Sequence, residues 1–226
     1  MKGRLQVQAV VFVTVLVFAV GMLATGDNPN PAWLKFYSYA VTAAVALVTA
    51  WDRWLWRLVI SQKVAAVPRN LNGTWKGVLT TFWVDPETGV VPPPKPAFLV
   101  VRQTATTVSA TMITDQMRSV SSLASLSGVD GQRSLEYMYL SRPDSRYEMH
   151  SRIHHGSTSL DVTGIPPDRL RGRYWTNRDS RGELDFTERR GGFADTYDTA
   201  LRMFGDAASS QDPAGDPPGT EGEGGR

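Results

Sequence analysis

Leu170 to Phe186 reads LRGRYWTNRDSRGELDF, and the reading of this stretch decides the fold. Leu170, Tyr174 and Thr176 share one parity before the turn, and Leu184 and Phe186 share one after it. Successive side chains on a strand point to opposite faces, so this alternation marks two half-buried strands. Asp179-Ser180-Arg181-Gly182 between them is a turn sequence, with Gly where the chain must bend back.

The same pattern extends over residues 71 to 190. Further runs are Thr74 to Val84, Ala97 to Thr104, Thr106 to Thr114, Arg118 to Leu126, Arg133 to Ser141, Glu148 to His155 and Thr158 to Gly164. They are separated by turn chemistry such as Gly128-Val129-Asp130-Gly131, Arg142-Pro143-Asp144 and Pro166-Pro167-Asp168. No helical periodicity of any length interrupts them. Eight or nine short, sequentially paired strands bury one apolar face as a sandwich or a barrel. Every connection is hairpin-short except Asp85 to Pro96, where VPPPKP is extended and incompatible with a strand. An up-and-down barrel removes exposed edges by closing, so an all-β antiparallel barrel is the expected fold.

The N-terminal sixty residues are of another kind. Leu5 to Ala24 is apolar apart from Gln6, Gln8 and Thr14. About 20 such residues span a bilayer core of roughly 30 Å. A second run, from about Trp33 to Trp54, is bordered by Trp33, Tyr37, Tyr39, Trp51 and Trp54, the aromatic belt of a membrane interface. Thr25 to Pro31, TGDNPNP, forces a turn, so a transmembrane hairpin of two helices is expected. Lys2 and Arg4 precede the first span, and Arg53, Arg57, Lys63 and Arg69 follow the second. Positive charge at both ends places the N-terminus and the β-domain on the cytoplasmic side. Neither span carries a charge at its middle, which speaks against a transporter.

These readings divide the chain into a hairpin over 1–60, a linker over 61–70, a barrel over 71–192 and a segment over 193–226. In that last segment Asp195 to Phe204 reads as a short helix and the rest as a disordered acidic tail. Charge is uneven. Residues 63–190 hold seventeen Lys/Arg against thirteen Asp/Glu, and residues 191–226 hold two against seven. The basic excess of the β-domain suits an anionic ligand or equally a plain soluble surface, and is too small for a polymeric nucleic acid.

Catalytic signatures are missing. There is no cysteine, and no phosphate loop, nucleophile elbow, HExxH or dinucleotide fingerprint. His150, His154 and His155 are the only histidines, and adjacent strand residues face opposite ways, so the last two do not share a metal. Glu183 and Asp185 share a face, which reads as solvated. The chain is therefore not expected to be an enzyme, nor to carry a cofactor or a metal.

What remains is polar aromatic content on strands. Tyr137 and Tyr139 share one face, as do Tyr174, Thr176 and Arg178 on theirs. Inside a barrel such groups demand water or a polar ligand. Arg offers a planar fork to phosphate, and an aromatic ring a surface for a base. A nucleotide-like ligand suits this set; a core with hydroxyls at its rim is the competing reading. Trp75 reads as a barrel-end plug.

An apolar two-helix segment followed by LNGTWKG (71–77), FLVVRQT, LEYMYLSRP, HHGSTSLDV and LRGRYWTNRDSRGELDF resembles a known family. This family comprises the two-transmembrane, β-strand-rich effectors associated with CD-NTases, the cyclic-oligonucleotide synthases of bacterial CBASS anti-phage systems. The resemblance covers residues 6 to 189, and its most specific parts are LNGTWKG and the G-x-Y-x-T-x-R-x-x-x-G run from Gly172 to Gly182. It implies a lipocalin-like, eight-stranded barrel behind a membrane anchor in the bacterial inner membrane. It also implies a cyclic dinucleotide as ligand, homo-oligomerisation on activation, bilayer disruption and death of the infected cell. The positions matching the family's barrel-lining pattern are Gln103, Tyr137, Tyr139, His155, Tyr174, Thr176 and Arg178. The alternative is a membrane-tethered carrier of a small apolar molecule, which predicts an aliphatic cavity.

Overall fold

In the computed structural model, the described residues are 2–25, 32–64, 66–86, 88–129, 132–143, 153–178 and 180–205. Two helices come first, α1 (Lys2–Thr25) and α2 (Ala32–Arg53), lying against each other. A 3-10 turn (Leu55–Arg57) and a four-residue helix α3 (Val59–Gln62) follow. Eight strands then run in order: β1 (Gly73–Thr81), β2 (Lys95–Gln103), β3 (Val108–Ile113), β4 (Met117–Val129), β5 (Gln132–Pro143), β6 (His154–Thr163), β7 (Arg169–Thr176) and β8 (Arg181–Arg190). A final helix, α4, spans Tyr197–Gly205. Among the described residues, no helix is long and apolar enough to cross a membrane. The expected turn at Asp27 and the expected tail beyond Gly205 lie outside the described residues.

Each strand pairs antiparallel with the next, and β8 pairs with β1, so the sheet closes into an eight-stranded barrel. The nine expected runs become eight strands because His154, His155 and the Thr158–Gly164 run form one continuous strand. Residues 144–152, where the other half of the expected Glu148–His155 run falls, are outside the described residues. Alternation sets the inward face. Leu135, Tyr137, Tyr139 and Ser141 on β5 oppose Leu160, Thr158, Gly156 and His154 on β6.

The interior has two halves. Toward the end where β1 begins, Leu71, Trp75, Leu99, Val101, Leu135, Leu160, Leu170, Leu184 and Phe186 are all fully buried. Each such side chain contributes on the order of 1.5–3 kcal/mol, so this half is the stabilising core. Trp75 donates its indole N–H to the Leu71 carbonyl at 2.9 Å and lies under the Arg189 guanidinium, closing the end as expected of a plug. Gly77 is required here, because a Cβ would run into Asp185 backbone and the Phe186 ring on β8.

A second core lies outside the barrel. Phe98 and Val100 on β2 and Ile113 on β3 face outward, yet they are buried beneath Ala194, Ala200 and Phe204. Phe98 packs on Tyr197 and Phe204 with ring centroids 5.5 and 5.7 Å away. FLVV is therefore continuous rather than alternating because both faces of β2 are covered. The expected helix after residue 195 is part of the barrel's packing, not a separate segment.

The helices meet the barrel at its filled end. Asp52, at the end of α2, accepts hydrogen bonds from the Thr104 and Thr106 hydroxyls at 3.1 and 2.8 Å and from the Thr106 N–H at 3.1 Å. Its carbonyl accepts from the Ala105 N–H at 3.0 Å. Arg57 donates to the Gln103 carbonyl at 3.1 Å. The β2–β3 turn is thus clasped by the residues that leave α2.

Candidate functional site

The opposite end of the barrel is hollow. A cavity of about 570 Å³ opens where β1, β3, β5 and β7 end and β2, β4, β6 and β8 begin. Ligand pockets typically run from about 300 to 1,000 Å³, so it has room for one small molecule. Leu79 and Met112 form its apolar floor, and Tyr139, Tyr174, Thr114, Ser119 and Thr176 its walls. Trp83, Pro92, Pro93 and Pro94 from the β1–β2 connection form one lip. Lys95, His154 and Arg178 supply positively charged or protonatable groups, and no Asp or Glu lies among its described lining residues.

Two glycines set the tyrosines. Tyr139 pairs across the sheet with Gly156, and a Cβ at Gly156 would overlap the Tyr139 ring. Tyr174 pairs with Gly182, where a Cβ would meet the Tyr174 ring at 2.7 Å and the Thr80 carbonyl closer still. A ring laid over a cross-strand glycine covers exposed backbone and holds its own orientation. The spacing of Tyr174 and Gly182 follows from this, since ring and glycine face each other across the β7–β8 hairpin; Gly172 is needed instead where Ser159 backbone on β6 approaches.

Below the cavity sits Tyr137, 5.9 Å from Tyr139 between ring centroids. Its hydroxyl and that of Thr158 are buried without hydrogen-bond partners, as is the Ser119 hydroxyl in the cavity wall. An unpaired buried hydroxyl costs about 1–3 kcal/mol; of the three, only Ser119 lines the cavity, where a polar ligand would satisfy it. Burial pushes Tyr137 up to about 12, with the neighbouring Thr158 pulling weakly the other way. Burial also raises Tyr139 well beyond its ordinary value, reinforced by Tyr137 and Tyr174, and it raises Tyr174 against an opposing contact from Thr81. All three rings are neutral donors near pH 7.

Of the residues singled out from sequence, Tyr139, Tyr174, Thr176 and Arg178 come together around the cavity, and Tyr137 lies directly beneath it. Arg178 is exposed at the rim, its N–H donating to the Thr176 hydroxyl at 3.2 Å. Two positions require correction. His155 is exposed on the outer face, and His154 points inward instead, because Ser141 is paired with His154 and the alternation runs the other way. Gln103 is buried at the far, filled end. Its side-chain oxygen accepts from the Leu71 N–H at 2.9 Å and its amide donates to the Arg69 carbonyl at 2.9 Å. It ties the residues leading into β1 to the end of β2 and does not reach the cavity. Glu183 and Asp185 face outward and pair with Arg171 and Arg169. The hydrogen bond from Arg169 holds the Asp185 carboxyl below the usual carboxylate range. Among the described residues, no group of acidic or histidine side chains is placed to hold a metal.

Sequence reasoning missed Trp83, Lys95, His154 and the proline lip. The signal for the lip was the VPPPKP run, since a chain that cannot join the sheet must pass over an end of it.

The family model described as "Cap15, cyclic dinucleotide receptor domain" matches residues 65–188. The chain is also 25% identical over 171 residues to CD-NTase-associated protein 15 of Staphylococcus schleiferi, covering 76% of this chain and 88% of that protein. The matched segment contains every strand residue that lines the hollow and both glycine–tyrosine pairs. The chain belongs to the Cap15 family of CBASS effectors, with its closed barrel as the cyclic dinucleotide receptor domain.

Proposed function

We propose that the open end of the barrel binds a cyclic dinucleotide made by a cognate CD-NTase, and that the N-terminal hairpin carries the response into a lipid bilayer. The observation that carries the reading is the cavity's composition: Trp83, Tyr139 and Tyr174 beside Lys95, His154 and Arg178, with no carboxylate among the described lining. Aromatic faces take bases, and cationic and hydroxyl donors take the two phosphates. The aliphatic cavity of an apolar-molecule carrier is not what this end offers, since the aliphatic half of the barrel is already filled.

Anchoring rests on the sequence of the first helices. Leu5 to Ala24 carries no charge, and Phe12, Val15 and Leu23 on α1 are exposed. Exposed apolar residues of this kind support contact with a lipid surface. The bacterial inner membrane, with the barrel on the cytoplasmic face, is the corresponding location.

A route from ligand to membrane is available. Lys95 and Met112 line the cavity at one end of β2 and β3, and the turn joining the other ends is held by Asp52 and Arg57. A ligand shifts such an equilibrium only by its differential affinity for the two states. Ligand binding at the mouth favours an arrangement of the hairpins that oligomerises and disrupts the bilayer, killing the infected cell. The protein performs no catalysis in this scheme.

Titration calorimetry of the full-length chain in detergent micelles against a panel of cyclic dinucleotides tests the binding step. Saturable binding of at least one member is expected. Absence of binding by every member, together with co-purification of an extractable lipid, would replace this reading with the carrier.

A further inference from the structure

Between α2 and the barrel lies a short segment, residues 54–64, in which Trp56 is fully buried while most of the other large apolar side chains are exposed. Leu58, Val59 and Ile60 are 55, 76 and 80% exposed, and Trp54 and Val64 are exposed beside them. No residue of α3 is buried.

Two polar side chains of the same segment, Ser61 and Gln62, are half-buried and tied to backbone groups. Gln62 donates to the carbonyls of Trp56 and Pro68 at 2.7 and 3.1 Å and accepts from the Asn70 N–H at 3.0 Å. Ser61 donates to the Leu55 carbonyl at 3.0 Å, and Arg69 to the Gln62 carbonyl at 2.6 Å. The segment is thus held by these polar contacts and by the buried Trp56, with Trp54, Leu58, Val59, Ile60 and Val64 left outward. Clusters of large apolar residues held in water mark a contact with a partner or a membrane.

Charge selects the partner. Arg53, Arg57 and Lys63 are exposed around the cluster, and no Asp or Glu occurs from Arg53 to Val84. A second copy meeting this surface through a two-fold axis would bring like charges together. An anionic lipid surface complements both the cations and the apolar residues.

We infer that residues 54–64 form a rigid interfacial foot: Trp54, Leu58, Val59 and Ile60 enter the headgroup–acyl boundary of an anionic membrane, and Arg53 and Lys63 pair with its phosphates. This rests on the anchored reading and deepens it. The foot fixes the height of the barrel's filled end at the membrane and leaves the cavity facing away from it.

The absence of native cysteine makes a direct test available. Full-length Ile60→Cys and Val59→Cys, labelled with an environment-sensitive nitrobenzoxadiazole probe, are reconstituted in phosphatidylglycerol–phosphatidylethanolamine vesicles containing a doxyl-lipid quencher. Val15→Cys on α1 and Leu123→Cys on the outer barrel serve as references. Blue-shifted, quenched emission at 59 or 60 is expected, weakening in phosphatidylcholine vesicles and at high salt. Emission at 59 and 60 resembling that at 123, with 15 quenched, overturns the foot while leaving the anchor standing. An unquenched probe at 15 removes the anchor and the foot with it. Excimer formation between pyrene-labelled copies at residue 60, without lipid quenching, assigns the surface to a second copy instead.

Discussion

The ring of Tyr139 lies across Gly156, its partner on the neighbouring strand, and leaves no space there for a side chain. Gly156→Ala therefore drives the ring off its seat and toward the cavity. Overpacking of this kind costs about 1–3 kcal/mol, read by urea unfolding of the full-length chain. Ligand affinity should fall by about tenfold in parallel. A variant with wild-type stability and affinity would show that the glycine does not position the ring.

Arg178 and Gln103 make a paired test, because both were singled out from sequence and they sit at opposite ends. Arg178→Ala removes a rim cation; loss of one charge-assisted hydrogen bond, about 1.5–3 kcal/mol, weakens ligand binding about tenfold or more without lowering Tm. Gln103→Ala strands the buried Leu71 N–H, so it should lower stability by about 1–3 kcal/mol and leave affinity unchanged. The reverse pattern would mean that the ligand enters at the filled end.

Alkaline titration probes the buried tyrosines. An unfolded tyrosine releases its proton near pH 10, whereas burial pushes Tyr137 up to about 12. Above pH 10 the unfolded state therefore binds fewer protons than the folded one, and stability declines from about pH 10 toward 12. Below pH 10 this group has no effect. Tyr137→Phe should flatten the decline, followed by circular dichroism, and a wild-type-minus-variant difference at 295 nm that titrates near pH 10 would contradict the burial.

Asp52 joins the hairpin to the β2–β3 turn through three hydrogen bonds from Thr104 and Thr106. Asp52→Ala removes them far from the cavity. Titration of the variant should give near wild-type affinity for the cyclic dinucleotide, while ligand-triggered dye leakage from vesicles falls several-fold. Equal loss of both would show that the contact supports the fold and carries no signal.

Phe204 covers Phe98 on the outer face of β2 and is almost wholly buried. Phe204→Ala should destabilise the protein by roughly 3 kcal/mol, measured by thermal or denaturant unfolding. A change under about 0.5 kcal/mol, the range of ordinary surface substitutions, would mean that α4 is not held against the sheet.

Much of this architecture is legible in the residues. Strand identity came from period-two alternation, which survives in Leu135, Tyr137 and Tyr139 and again in Leu170, Tyr174 and Thr176. Turn chemistry marked most of the ends. The errors have specific causes. His155 matches the barrel-lining pattern only by resemblance, whereas the register pairs inward Ser141 with His154 and turns His155 outward. Gln103 has the parity of a lining residue, and it does face inward, but at the end where Leu71 and Arg69 consume its amide. Parity tells which face a side chain takes and not how far along the barrel axis it lies.

Periodicity, turn residues and the uncharged run from Leu5 to Ala24 by themselves determined an apolar helical N-terminus and a barrel of short antiparallel strands, because these are local properties of neighbouring residues. Only the tertiary structure decided which end of the barrel is filled, that Lys95, His154 and Arg178 converge on one mouth, and that Leu58, Val59 and Ile60 remain outside. Those facts depend on register and closure, which bring together residues as far apart as Leu79 and Arg178 and which no local pattern encodes.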